Sequence, residues 1–265
     1  MTTYKRPSLW LTAFETRAIS ELAAFSWSFP LMQMAPKGDG HPVMTLPGFM
    51  ASDVSTFPLR LFLRSRGYKP YGWNLGRNYG QGIDLKKGIP DNSYILRRLE
   101  AIHKKHGQKV TLIGWSLGGI YAREIARQVP DQVRSVITLG SPFNGDPKAN
   151  NVFQLFEKMS GRKVDDITPE LKKLVSEPPP VPSTSIFSRT DGIADWKCCI
   201  EEATGNTENI SLFSSHTGLG VNPLALWIIA DRLAQPEGEW SPFDTRGLKS
   251  FIYGDAEQAK ALGFI

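Results

Sequence analysis

The stretch "VTLIGWSLGGIYAREIARQVP", Val110 to Pro130, places one serine between an apolar run and a helical pattern. The β-branched-rich run from Lys109 to Ile113 suits a strand buried on both faces. From about Gly118 to Arg127 the apolar positions recur at helical spacing. Gly114 and Gly118 flank Ser116 in the pattern G-x-S-x-G. By composition alone such a pentapeptide is expected ~0.2 times in a chain like this, so the pattern carries little weight out of context. Its context is a sharp strand-to-helix turn. There the serine backbone is strained, the side chain projects off the sheet, and neighbouring Cβ atoms would clash, which is why small residues flank it.

Working outward, short apolar strands alternate with helical segments. Val43–Leu46 reads as a buried strand ending at Pro47-Gly48, and a helix follows from Thr56 to Arg66 with Pro58 in its first turn. Tyr68–Trp73 reads as extended and leads to the glycine-rich "LGRNYGQG"; Asp91 is placed to cap a helix that runs to His106 and closes at Gly107. Strands are expected at Val133–Leu139, Thr184–Phe187 and Asn209–Phe213. This alternation predicts an α/β fold: a doubly wound, mostly parallel sheet forming one domain over residues 1–265. Residues 144–182 interrupt it. They hold two short helical pieces and then Pro178, Pro179, Pro180 and Pro182, an exit that cannot be helical, so the segment is expected to be a helical lid over the site. At the N-terminus, Leu9, Leu11, Phe14, Ala18, Ile19, Leu22 and Phe25 fall at helical spacing and are expected to pack on the core.

A serine hydroxyl attacks only if a base takes its proton, and the base needs an acid to fix its tautomer. There are four histidines. His41 precedes a strand, and His103 and His106 lie on the helix before the serine, where surface roles suffice. His216 follows a strand far downstream and is the natural base. Asp191, directly before Gly192 and after the resumed strand, is the candidate acid, with Asp195 as runner-up. All three candidates then sit at strand ends, in the order Ser116, Asp191, His216. The Leu117 N–H, close to a helix N-terminus, is placed to receive developing negative charge.

The elements "VMTLPGFMAS", "LIGWSLGG", "TLGSPF", "SRTDGIADW" and "SHTGLGVNP" together resemble the α/β-hydrolase superfamily, in particular bacterial lipases and esterases, over about Val43 to Ala230. The resemblance implies Ser116 as nucleophile, Asp191 as acid and His216 as base. It also implies an oxyanion hole from the backbone N–H groups of Phe49 and Leu117. Pro47 stands where many members have histidine, and no HGGG run is present, so Met50 is the alternative first donor. Met50, Trp115, Phe143 and Phe153 are the candidate pocket residues, with Trp115 read equally well as a packing residue. The implied activity is carboxylic ester hydrolysis through an acyl-enzyme, on small-molecule or lipid esters, with no cofactor and no metal. The same triad serves acyl transfer and the cleavage of amides or thioesters. A non-catalytic binding protein on this fold has no reason to keep all three residues in order.

The bulk properties agree. With 41% hydrophobic and 22% charged residues the chain is globular in composition, and its net charge of +5 is scattered, not gathered into a nucleic-acid-binding face. Two adjacent cysteines, Cys198 and Cys199, build no disulfide framework. No signal peptide or membrane span is read, so the expected location is cytoplasmic. The final 28 residues, from Gly238, carry no functional reading.

Overall fold

The computed structural model describes residues 3–80 and 93–255. Its centre is a seven-stranded sheet in the order β2-β1-β3-β4-β5-β6-β7, formed by Pro42–Leu46 (β1), Lys69–Gly72 (β2), Val110–Trp115 (β3), Val133–Leu139 (β4), Ser183–Phe187 (β5), Thr207–Ser211 (β6) and Gly254–Asp255 (β7). Six strands run parallel; β7 pairs antiparallel to β6. Parallel pairing requires crossovers, and these place helices on both faces. Side chains alternate between the two cores. Val43, Ile113 and Ile137 face one core, and Met44, Leu112 and Val136 face the other.

The helices are α1 (Leu9–Phe14), α2 (Ala18–Met32), α3 (Phe57–Ser65), α4 (Tyr94–His106), α5 (Leu117–Gln128), α6 (Phe153–Ser160), α7 (Pro169–Ser176) and α8 (Pro223–Leu233). Pro58 stands in the first turn of α3, and Gly107 ends α4 in the left-handed conformation with φ 61°. The expected cap Asp91 lies outside the described residues, as does the end of the glycine-rich loop. Ser93 caps the described helix, its Oγ accepting from the Leu96 N–H at 3.3 Å. Helices α6 and α7 stand in the connection from β4 to β5. No helix among the described residues is long and apolar enough to cross a membrane.

The N-terminal reading needs correction. In place of one helix there are two, joined by a 3-10 turn at Glu15–Arg17, and most of the apolar stripe faces outward. Leu9 and Ile19 are 83% and 77% exposed, while Phe25 is buried. The inward side of the segment carries Glu15, Arg17 and Glu21, which bond to loops at the sheet's C-terminal edge.

Register aligns that edge. Leu46 pairs with Gly114, Trp115 with Leu139, and Leu139 with Ile186, so the residues following β1, β3, β4 and β5 emerge side by side.

Candidate active site

Ser116 stands between β3 and α5 with φ 53° and ψ −122°, a conformation that side-chain-bearing residues rarely adopt. The glycines around it are required by contact. A Cβ on Gly118 would lie 2.2 Å from the Leu46 carbonyl oxygen, and one on Gly114 2.3 Å from the Gly119 Cα. Strand and helix are thus pressed together with no room for a methyl group, and Ser116 is lifted out of the sheet plane. Its amide is fixed by donating to the Leu139 carbonyl at 2.8 Å.

The Leu117 N–H is the first donor of α5, and among the described residues it has no acceptor. The loop after β1 supplies a second one. Met50, at φ 60°, spends its N–H on the Asn78 carbonyl at 2.6 Å, whereas the Phe49 N–H has no acceptor among the described residues. Asn78 is fully buried and clamps this loop at two further points. Its Nδ2 donates to the Pro47 carbonyl at 2.8 Å, and its backbone N–H donates to the Ala51 carbonyl at 2.8 Å.

At the other side of the site, His216 Nδ1 lies 2.6 Å from Asp191 Oδ2, both residues buried. The second oxygen of Asp191 accepts from the Ile193 and Ala194 N–H groups, each at 2.8 Å, so both of its oxygens are committed. Burial disfavours the imidazolium, but the charge and hydrogen bond of Asp191, aided by Glu15, outweigh it and hold the His216 pKa above its ordinary 6.5. Gly140 (φ 56°) keeps the wall beside this pair open: a Cβ there would sit 3.1 Å from His216 Nδ1. Among the described residues no hydrogen bond joins Ser116 Oγ to His216; such contacts are often long before substrate binds.

Asp195 does not reach the histidine. It caps a short turn, accepting from Lys197 N at 3.1 Å and Lys5 N at 2.8 Å. His41 is buried against Asp39 and Thr111, and His106 meets the Tyr71 hydroxyl at 2.7 Å.

Ser116, Phe49 and Leu117 open onto an apolar cavity of about 170 Å³, walled by Ile120 and Phe143 and roofed by Phe153 and Phe156 of α6 and Leu171 of α7. Of the four pocket candidates, Phe143 and Phe153 line the cavity; Met50 and Trp115 do not. The reason for Trp115 is its neighbour. Its Nε1–H donates to the His216 carbonyl at 3.0 Å and its rings pack on the opposite core, so the indole braces the histidine loop from behind.

The insertion is fastened at both ends. Near its start the Asn151 side chain donates to the Pro7 and Gly192 carbonyls at 3.1 and 3.0 Å. Near its end the buried Arg123, paired with Glu201, donates to the Ser176 and Glu177 carbonyls at 3.2 and 2.8 Å.

A sequence model described as the alpha/beta hydrolase fold matches residues 41–172, about half of the chain. The chain belongs to the α/β-hydrolase superfamily. Among solved structures this α/β-hydrolase is similar to Aspergillus fumigatus lipase B, at 19% identity and a TM-score of 0.60, over 77% of this chain and 54% of that one. The chain thus spans about half of the fungal lipase's length. It is also similar to a Bacillus licheniformis lipase in mature form, at 16% identity and a TM-score of 0.53, over 76% of this chain and 95% of that one. Identities this low speak for the fold alone. No curated protein sequence matches the chain at a significant level.

Proposed function

We propose that this α/β-hydrolase is a serine carboxylic ester hydrolase that takes the acyl half of its substrate into the apolar cavity. The observation that carries this reading is the position of Ser116. It is held at φ 53° on the wall of the cavity, beside two backbone N–H groups without acceptors, and its neighbour Trp115 donates to the carbonyl of His216, which pairs with the buried Asp191. In the proposed reaction Ser116 Oγ attacks the ester carbonyl carbon while His216 Nε2 takes the hydroxyl proton. Asp191 fixes the ring with the Nδ1 proton toward itself and stabilises the imidazolium. The N–H groups of Leu117 and Phe49 bind the carbonyl oxygen as it becomes negative. Collapse expels the alcohol, which takes the proton from His216, and water then cleaves the acyl-enzyme by the same steps in reverse.

An apolar cavity roofed by Phe153, Phe156 and Leu171 favours hydrocarbon acyl groups over charged or hydroxylated ones. The lipases among the similar folds agree with a lipid-like ester, and we extend that substrate class to this chain as part of the proposal.

The test is the initial rate on nitrophenyl esters from acetyl to palmitoyl, wild type beside Ser116→Ala. The expected result is turnover by the wild type and a loss of three or more orders of magnitude in the variant. Equal inertness of both proteins on every ester would overturn the proposal.

A further inference from the structure

From Ser8 to Pro36 the chain has only three charged side chains, Glu15, Arg17 and Glu21, and all three bond to the loops that carry the acid and the base. Glu15 Oε1 accepts from the Gly192 N–H and from the His216 N–H, each at 2.9 Å, and its Oε2 accepts from the Thr217 N–H at 3.0 Å. Arg17 donates to the Thr190 carbonyl at 2.8 Å and the Ser214 carbonyl at 2.5 Å. Glu21 accepts from the Ser215 N–H at 2.9 Å and from the Ser215 hydroxyl.

Apolar packing anchors only the later part of the segment, through Phe25, Phe29 and Met32. Helix α1 buries none of its residues, and α2 buries only Phe25 and Met32. The segment is attached largely through polar bonds, and Glu15 and Arg17 each span two loops that are otherwise joined by the His216–Asp191 contact and by short bonds such as Thr190 Oγ1 to the Ser214 carbonyl. The sequence match to the superfamily begins at residue 41, after this segment.

We propose that Glu15 is a positioning residue for the catalytic pair: its carboxylate sets the spacing between the Asp191 and His216 loops and places a second negative charge beside the imidazolium formed during the reaction. The proposal rests on the hydrolase reading for its catalytic consequence. Three charge-assisted bonds hold the main chain on both sides of the acid–base contact. A shift of about an ångström in that contact is enough to cost about 100-fold in rate. The charged groups around His216 are Asp191 on its ring, Glu15 on its amide, Glu21 on the preceding residue and Arg17 on the Ser214 carbonyl. Of these, Asp191 and Glu15 favour the imidazolium, and Glu15 is itself held below its ordinary pKa: its burial is outweighed by the three N–H bonds and by His216.

The experiment compares wild type, Glu15→Gln and Glu15→Asp. Rates are counted per active site by titration with an irreversible fluorophosphonate, and the His216 imidazole is titrated by NMR, assigned with His216→Ala. Glutamine keeps the shape but replaces an anion with a group that points N–H toward N–H. The expected result for Glu15→Gln is a kcat lower by about 10- to 100-fold with KM little changed, and a His216 midpoint below that of the wild type, Glu15→Asp lying between. A folded Glu15→Gln with kcat within about twofold of wild type and an unmoved midpoint overturns the proposal. So does a loss that only tracks the folded fraction while the midpoint stays fixed, since that is a purely structural role. Should Glu15→Gln not fold, Glu15→Asp decides by the same two readouts. Should the wild type cleave no ester, the hydrolase reading falls and the NMR midpoint alone decides on Glu15.

Discussion

The two sides of the site are held by different means. On the side of the proposed nucleophile, geometry is enforced by sterics: a Cβ on Gly114 would meet α5 at Gly119, one on Gly118 would meet the Leu46 carbonyl of β1, and one on Gly119 would meet the Ser141 side chain. On the acid–base side, Asp191 and His216 sit on loops fastened by side chains from elsewhere, Glu15 and Arg17 across about 200 residues of sequence and Trp115 across 101. Steric exclusion leaves no room for a side chain at these positions. A borrowed carboxylate can be adjusted one hydrogen bond at a time, but it fails if its distant carrier moves.

The largest effect expected is from Ser116→Ala, which removes the proposed nucleophile and lowers kcat by about 10⁴-fold or more without unfolding the protein, checked by ester turnover beside circular dichroism. Asp191→Asn follows, with a loss of about 10³- to 10⁴-fold. Its pH profile sharpens the comparison. As a base His216 must be neutral, so wild-type kcat/KM is expected to rise with pH through a midpoint above 6.5; without the Asp191 charge, burial dominates and the midpoint falls. The sign for stability is opposite. The raised His216 pKa contributes stability that is fully present below 6.5 and is lost as pH rises through the folded-state value, which urea melts across pH 5 to 9 measure.

On the steric side, Gly118→Ala is expected to destabilise the fold by about 3 kcal/mol, because its Cβ would sit 2.2 Å from a backbone carbonyl that has nowhere to go. A urea melt little different from wild type would break the argument that contact, not flexibility, selects glycine there. Asn78→Ala unclamps the loop carrying the Phe49 N–H and is expected to lower kcat by about 10-fold, less than loss of a direct oxyanion donor. At the bottom of the scale stands Trp10→Ser: the residue is 86% exposed on the outer side of the segment that carries Glu15, and its removal should leave ester turnover within about twofold.

The same contrast explains what could be read from the sequence. Steric requirements leave glycines at fixed offsets, so the Ser116 turn, the buried strands and the parallel alternation were legible. Bonds to backbone amides leave no such mark, because every residue offers the same N–H; nothing in "SHTGLGVNP" says that its amides await a carboxylate near the N-terminus. A signal did exist. Two glutamates and an arginine in an otherwise uncharged helical stretch are either solvent-facing or committed, and the surrounding apolar stripe drew attention to the wrong side of the helix. Trp115 misled for a related reason. Its neighbour is the proposed nucleophile, but successive residues point to opposite sides, so adjacency in sequence placed it away from the cavity. The antiparallel β7 was silent too, since a two-residue strand has no periodicity to read.

The two fastenings of the insertion, Asn151 at one end and Arg123 on residues 176 and 177 at the other, divide the labour of the molecule. Between them lie the cavity residues from Val152 to Val175, and two residues of that span reach beyond the cavity: Phe156 packs edge-on against Phe49, and Arg162 donates to the Gly80 carbonyl at 2.8 Å. Under the proposed function, variation at Phe153 and Leu171 would retune which acyl groups enter, whereas variation at Phe156 would also reach the residue proposed to supply an oxyanion N–H.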